Sequence, residues 1–242
     1  KDEPKDIAMT TPLYRDNAYQ TSCEATVLAV NDQGGIILDQ SVFYPTGGGQ
    51  PGDDGVIRWD GGEAVITTAV KGDGTEVVHV PAEGATTPPV GAKVTADLNE
   101  ANRALYRRIH TALHLMSVVI PLPVTGGAIS ALKGRLDFNM PETPKDKEAI
   151  AEELNALIAG DHAVTEEWIN DEELAANPGL VKTMRVKPPV GQGRVRLVRI
   201  GAGEATVDLQ PCGGTHVRST AEIGRIRLGK VEKKGKENRR VN

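Results

Sequence analysis

The sequence predicts an α+β fold, in which a small β-barrel is followed by a mixed α+β domain. Three observations carry this. Up to residue 97 the chain runs in short alternating segments broken by glycines, the texture of strands and tight turns. From residue 98 the apolar residues recur at helical spacing, and after that helix strand-like and helical stretches alternate. The expected domains are a glycine-rich barrel at residues 1–97 and a second domain at 98–242.

The elements follow in order. Residues 1–8 are charged and unlike a signal peptide, and with Met9 as a natural start they read as a leader or cloning remnant. Barrel strands are expected at residues 23–30, 35–38, 56–59, 64–70, 77–80 and 93–97, with residues 81–91, rich in Pro, Ala, Thr and Gly, as a loop. Residues 98–119 read as a helix with Asn99 as N-cap and Leu105, Ile109, Leu113 and Met116 along one face. Residues 144–159 read as a second helix carrying Ile150, Leu154, Leu157 and Ile158, and strands are expected at 194–200, 205–209 and 222–228.

Chemistry concentrates in two strings, His110-Thr-Ala-Leu-His114 and Cys212-Gly-Gly-Thr-His216. Of five histidines and two cysteines in the chain, three histidines and one cysteine fall here. Positions four apart on a helix share a face, so His110 and His114 can reach one ion. Pro211, Gly213 and Gly214 exclude a helix in the second string, which reads as a tight loop returning Cys212 and His216 to the same place. Together the four are a complete set for tetrahedral zinc, lying between a helix and a loop. Either string alone would read as chance spacing. A zincin protease is excluded, because its motif needs Glu after the first His and this chain has Thr111. His79 and His162 read as ordinary strand or loop residues, and Cys23 as a small buried hydrophobe.

Composition sets limits. A chain of 242 residues fits one large or two small domains. Two distant cysteines argue against a disulfide framework and for a reducing, cytoplasmic setting, and no apolar run is long enough to span a membrane. The net charge of −5 hides an asymmetry: residues 225–240 hold eight basic and two acidic side chains, net +6, leaving −11 elsewhere. Such a segment is either a solvated terminus or a phosphate-tracking surface, to which Arg103, Arg107, Arg108, Lys133 and Arg135 would add. Aromatic residues are scarce, so extensive base stacking is not expected.

The two strings, the second as Gln210-Pro-Cys-Gly-Gly-Thr-His216, resemble the halves of the editing site of alanyl-tRNA synthetases and of their free-standing AlaX-type relatives. Phe43-Tyr-Pro-Thr-Gly-Gly-Gly-Gln-Pro-Gly-Asp-Asp-Gly55 is similar to the glycine-rich motif of the longer members, and Arg135-Leu-Asp-Phe138 to a strand that follows the helix. The likeness runs from about residue 14 to 242 in the family's order.

The resemblance implies a zinc-dependent, ATP-independent hydrolase that deacylates mischarged tRNA, with 98–242 as the editing domain. It implies serine on alanine tRNA as first substrate and glycine second. The loop at Val124-Thr-Gly-Gly-Ala-Ile-Ser130 lacks the Gln of many synthetase-borne sites, which leaves serine or threonine on another tRNA open. Candidate catalytic groups are Thr111, Thr46 and Gln50; candidate substrate and tRNA contacts are Gly48, Gly49, Arg108, Lys133, Thr215, Lys233 and Lys234. The glycine-rich loop admits a purely structural reading as a tight turn, and Asp137 is a candidate orienter of a ligand histidine. Two other classes stand beside this: a zinc-stabilised RNA-binding module without catalysis, and a zinc hydrolase of small esters or amides.

Overall fold

A computed structural model describes residues 9–184 and 193–242, so the leader reading of residues 1–8 lies outside the described residues. The chain forms two compact units that divide between Ala104 and Leu105. No described helix is long and apolar enough to cross a membrane.

The first unit holds β1 (Thr11–Pro12), β2 (Ser22–Val30), β3 (Ile36–Leu38), β4 (Gln40–Ser41), β5 (Gly55–Trp59), β6 (Gly62–Lys71), β7 (Val77–Pro81) and β8 (Lys93–Leu98). Six of these close into a barrel in the order β2-β3-β7-β6-β5-β8, with β1 and β4 paired beside it. Alternation decides what points inward: Cys23, Ala25 and Val27 on β2 and Val94, Ala96 and Leu98 on β8 are buried, and the residues between them are more exposed. Register shifts at Val27/Ala29 and Ile66/Thr68 supply the bends that closure needs.

Polar groups are also buried inside this unit, His79 and Arg103 among them. His79 is fully buried, its Nδ1 2.8 Å from the Ile36 carbonyl and its Nε2 2.7 Å from Ser41 Oγ. The neutral ring satisfies both contacts, donating to the carbonyl and accepting from the hydroxyl. Burial lowers its pKa to about 4, against the opposing pull of the Ile36 carbonyl. Arg103, in the first turns of α1 (Glu100–Val119), is also fully buried. It donates to the Asp53 carboxylate and to the carbonyls of Ala18 and Val42.

The glycine-rich string contains a tight turn, with Gly47 and Gln50 bridged through their backbones. Gly48 and Gly49 at its tip have φ of 57° and 84°, the signature of a type I′ turn that side-chain-bearing residues resist. Thr46 Oγ1 accepts from the Gly52 amide at 2.9 Å and donates to the Ala69 carbonyl, tying the turn to β6. Thr46, Gly48 and Gly49 are exposed and Gln50 is buried.

The second unit contains the rest of α1, then β9 (Val124–Ile129), β10 (Gly134–Asn139), α2 (Lys147–Ala159), β11 (Val164–Ile169), α3 (Asp171–Ala176), β12 (Val195–Ile200), β13 (Asp208–Pro211), β14 (Val231–Lys233) and β15 (Asn238–Val241). One sheet runs β14-β15-β10-β9, the other β11-β12-β13. The core gathers Leu113, Met116, Phe138, Leu154, Val198 and Ile200. The other face of β12 packs Val195 and Leu197 against Leu174 of α3.

Three expectations are corrected. The second helix begins at Lys147 rather than 144, because Asp146 caps it by accepting from the Ala149 amide at 2.8 Å. The strand expected at 205–209 starts at Asp208, since residues Gly203–Ala205 form a 3-10 turn. Residues 222–228 are not a strand: Ser219 and Glu222 form a capping box over a 3-10 turn, which Gly224 ends at φ 72°. The basic terminal segment instead supplies the hairpin of β14 and β15.

Candidate metal centre

The two strings meet. One ligand atom from each of His110, His114, Cys212 and His216 lies within 4.8 Å of the others. The histidines of α1 are one turn apart on the face turned to the β11-β12-β13 sheet, and Cys212 and His216 come from the loop that leaves β13. Cys212 Sγ is 3.5 Å from His110 Nε2 and 3.3 Å from His216 Nε2. Nitrogen and sulfur ligands on a tetrahedral zinc ion stand about 3.5 Å apart. The four side chains therefore fit such an ion. The three histidines are buried, and Cys212 is half-buried.

Two hydrogen bonds set the ring orientations. Asp208 is 3.1 Å from His114 Nδ1, which turns Nε2 of that ring toward the cluster. Lys182 and Gln210 hold the same carboxylate. On the other side Thr111 Oγ1 is 3.0 Å from His216 Nδ1, 3.0 Å from the Arg107 carbonyl and 3.2 Å from the Val217 amide. A hydroxyl has one proton. Given to Arg107, it leaves Thr111 accepting from Val217 and from His216 Nδ1–H, with His216 Nε2 unprotonated toward Cys212.

Arg196 on β12 holds the loop. Buried to 5% exposure, it donates from Nη1 to the carbonyls of Cys212 (2.9 Å) and Gly214 (3.0 Å), while Nη2 pairs with Glu166 at 2.9 Å. The Arg196 carbonyl accepts from the Cys212 amide at 3.1 Å. The backbone of the ligand loop is thus gripped at two points.

The ionisable groups of the cluster shift one another strongly. Burial raises the Cys212 thiol pKa, but the charges of His110 and His216 outweigh it and hold it well below the ordinary value. Burial also opposes charge on His114, yet Asp208 and Cys212 raise its pKa to about 9; Asp208, despite burial, falls to about 2 through His114. Burial and then the charge of His110 push His216 down to about 3.

The remaining sequence candidates lie as follows. Thr111 and Thr215 are fully buried, and the Thr111 hydroxyl contacts the three protein groups above. Asp137 does not orient a ligand histidine; it pairs with Arg135 at 2.8 Å and with Arg240 at 2.8 Å. Asp208 fills that role, and its place two residues before Gln210 was the available signal. Arg103 and Arg107 are buried and withdrawn from the basic surface. Arg108 donates to the Ile223 carbonyl at 2.8 Å, and Lys133 is exposed at the β9–β10 turn. Lys234 pairs with Glu232, whereas Arg225, Arg227, Lys230, Lys233 and Lys236 are exposed and make no ion pair among the described residues.

Comparison with known proteins agrees with this geometry. Residues 195–242 match the family described as "Threonyl and Alanyl tRNA synthetase second additional domain", and residues 9–102 match "tRNA synthetases class II (A)". The alanine–tRNA ligase of Pyrobaculum neutrophilum is 35% identical over 94% of the chain, which spans 26% of that ligase's length. The alanyl-tRNA editing protein AlaX-M of Methanosarcina mazei is 33% identical over 96% of the chain and 95% of its own length. That of Methanosarcina acetivorans is 32% identical, over 96% and 98%. With similarity along nearly the whole of both chains, this protein belongs to the AlaX-M family of alanyl-tRNA editing proteins.

Proposed function

We propose that the protein is a cytoplasmic, zinc-dependent hydrolase that deacylates mischarged tRNA in trans, with serine on alanine tRNA as first substrate and glycine second. The observation that carries this is the convergence of His110, His114, Cys212 and His216 in a chain matched end to end by AlaX-M proteins. Residues 98–242 are assigned as the editing domain and residues 1–97 as the barrel domain.

These four side chains would hold the zinc. Bound there, zinc supplies a Lewis acid for the ester carbonyl or lowers the pKa of a water toward about 7. The chain's own residues do the rest. Asp208 holds His114 and Thr111 holds His216 in the tautomers that aim Nε2 at the cluster. Arg196 keeps the Cys212 loop in place. Cys212, as the half-buried member of the four, marks the side from which the ester approaches. A pocket that admits serine and spares alanine rewards the hydroxyl with buried polar groups that alanine leaves unpaired. By resemblance, Gly48 and Gly49 are assigned to substrate contact, with Thr46 or Gln50 offering a polar group to the substrate. The free cations of residues 225–236, with Lys133, are assigned to the tRNA backbone.

A second reading is favoured by the completeness of the four-residue set, since structural zinc sites are closed and catalytic ones keep a position open. It is a zinc-stabilised tRNA-binding module. One experiment separates the two: deacylation of serine-, glycine- and alanine-charged alanine tRNA, with and without a chelator. Loss of serine, sparing of alanine and abolition by chelation support the hydrolase. Binding of tRNA by zinc-loaded protein that hydrolyses none of these, nor serine or threonine on other tRNAs, supports the module.

A further inference from the structure

Trp168 breaks the pattern of the sheet that carries the metal centre. On β11 it lies directly opposite Arg196 of β12. The pairing of β12 with β13 continues past Leu197 and Pro211 through the bond from the Cys212 amide to the Arg196 carbonyl. Trp168, Arg196 and Cys212 therefore form one row across three strands, and residues paired in a row share a face. At two strand spacings, the Trp168 and Cys212 backbones are about 10 Å apart. Further along, this face is buried at Val164, Val198 and Ile200. Trp168, on the edge strand, is 37% exposed.

The ring is not bare. The Arg194 guanidinium lies over it, 5.1 Å from the centroid, a cation–π distance. Glu166 on that face pairs with Arg196, and Arg194 makes no ion pair among the described residues. Among the described residues Trp168 is the most exposed aromatic side chain of a chain that has two Trp, four Tyr and two Phe.

We propose that Trp168 and Arg194 form a stacking platform for an unpaired base at the 3′ end of tRNA, two strands across from Cys212. The proposal rests on the tRNA-deacylase reading above and adds where the single strand is held. An exposed indole under a guanidinium, beside a hydrolytic centre, matches the chemistry of a nucleobase: a flat π face joined to a phosphate. The separation suits a chain whose terminal ribose carries the ester at the cluster while a base of that strand reaches the rim.

The test uses full-length protein carrying Trp59→Phe, so that Trp168 is the remaining indole, titrated with an RNA minihelix bearing an unpaired 3′ tail and with the same helix blunt-ended. Tailed RNA is expected to quench the fluorescence and blunt RNA is not. Trp168→Ala is expected to raise the Kd for tailed RNA about tenfold, with Trp168→Phe recovering most of it and Arg194→Ala falling between. On mischarged tRNA, KM should follow Kd while kcat holds. The Phe variant also carries the test if the Ala variant fails to fold. Trp168-dependent binding of tailed RNA by a protein that deacylates nothing would leave the platform standing and remove the hydrolase reading. Deacylation whose KM ignores both Trp168 variants, or equal quenching by blunt and tailed RNA, overturns the platform.

Discussion

Asp208 and His114 share a hydrogen bond of 3.1 Å, made by the ring nitrogen that faces away from the His/Cys cluster. The carboxylate sits at the start of β13 and the imidazole on α1, so the bond also ties the helix to the sheet. Asp208→Asn is expected to weaken metal affinity by about 10- to 100-fold while leaving the fold intact. Competition with a chromogenic chelator measures the first, and circular dichroism checks the second.

His110→Ala and Cys212→Ala should each lower bound metal and deacylation together. Atomic absorption on purified variants, paired with the charged-tRNA assay, reads both. Full metal content with unchanged activity in both variants would sink the ligand assignment.

Arg196 reaches two carbonyls of the ligand loop with one nitrogen, and a lysine lacks the planar fork to keep those bonds together with the one to Glu166. Arg196→Lys is expected to speed metal loss about tenfold. With cobalt substituted at the site, the visible spectrum should shift as the loop relaxes, a signature that a remote loss of stability would not produce.

His79 gives the barrel unit an acid limit. Its folded pKa of about 4 lies below the ordinary 6.5, so the unfolded chain binds the extra proton first as pH falls. Stability is present above 6.5 and is lost as pH drops through that window toward 4. The loss amounts to about 3 kcal/mol at most. Urea midpoints at pH 7 and pH 4.5 should diverge in the parent protein and converge in His79→Gln, at lower overall stability.

Lys233 and Arg227 are exposed and unpaired among the described residues, whereas Arg240 is committed to Asp137. Each Ala substitution at Lys233 or Arg227 should reduce the slope of log affinity for tRNA against log salt by about 1. Filter binding over a salt series tests it, and an unchanged slope in the double variant removes this segment from the interface.

The barrel was legible because its strands alternate and its turns are glycine-marked, so all six appear within a few residues of where the pattern puts them. The meeting of the three histidines and Cys212 was legible because histidine and cysteine are rare here and their spacings fit a helix and a loop. Charge was less legible. Arg103 and Lys233 are equally basic in sequence, but one is buried against Asp53 and the other is in water. Asp137 and Asp208 are likewise indistinguishable until the register of β10 places the first beside Arg240 and β13 brings the second under α1. Pattern fixes local form, while partners at long range decide which acid or base does what. Residues 222–228 misled for the same reason, an apolar alternation overruled by a capping box.

The two halves of the cluster are far apart along the chain, with Cys212 and His110 separated by 102 positions. During synthesis the helix bearing His110 and His114 leaves the ribosome long before its partners exist. At about 5–20 residues per second the wait is on the order of 5–20 s. Two imidazoles on an isolated helix are a poor trap for a metal ion. The complete four-residue set is therefore a certificate of completion: a nascent or truncated chain that ends before residue 216 lacks it.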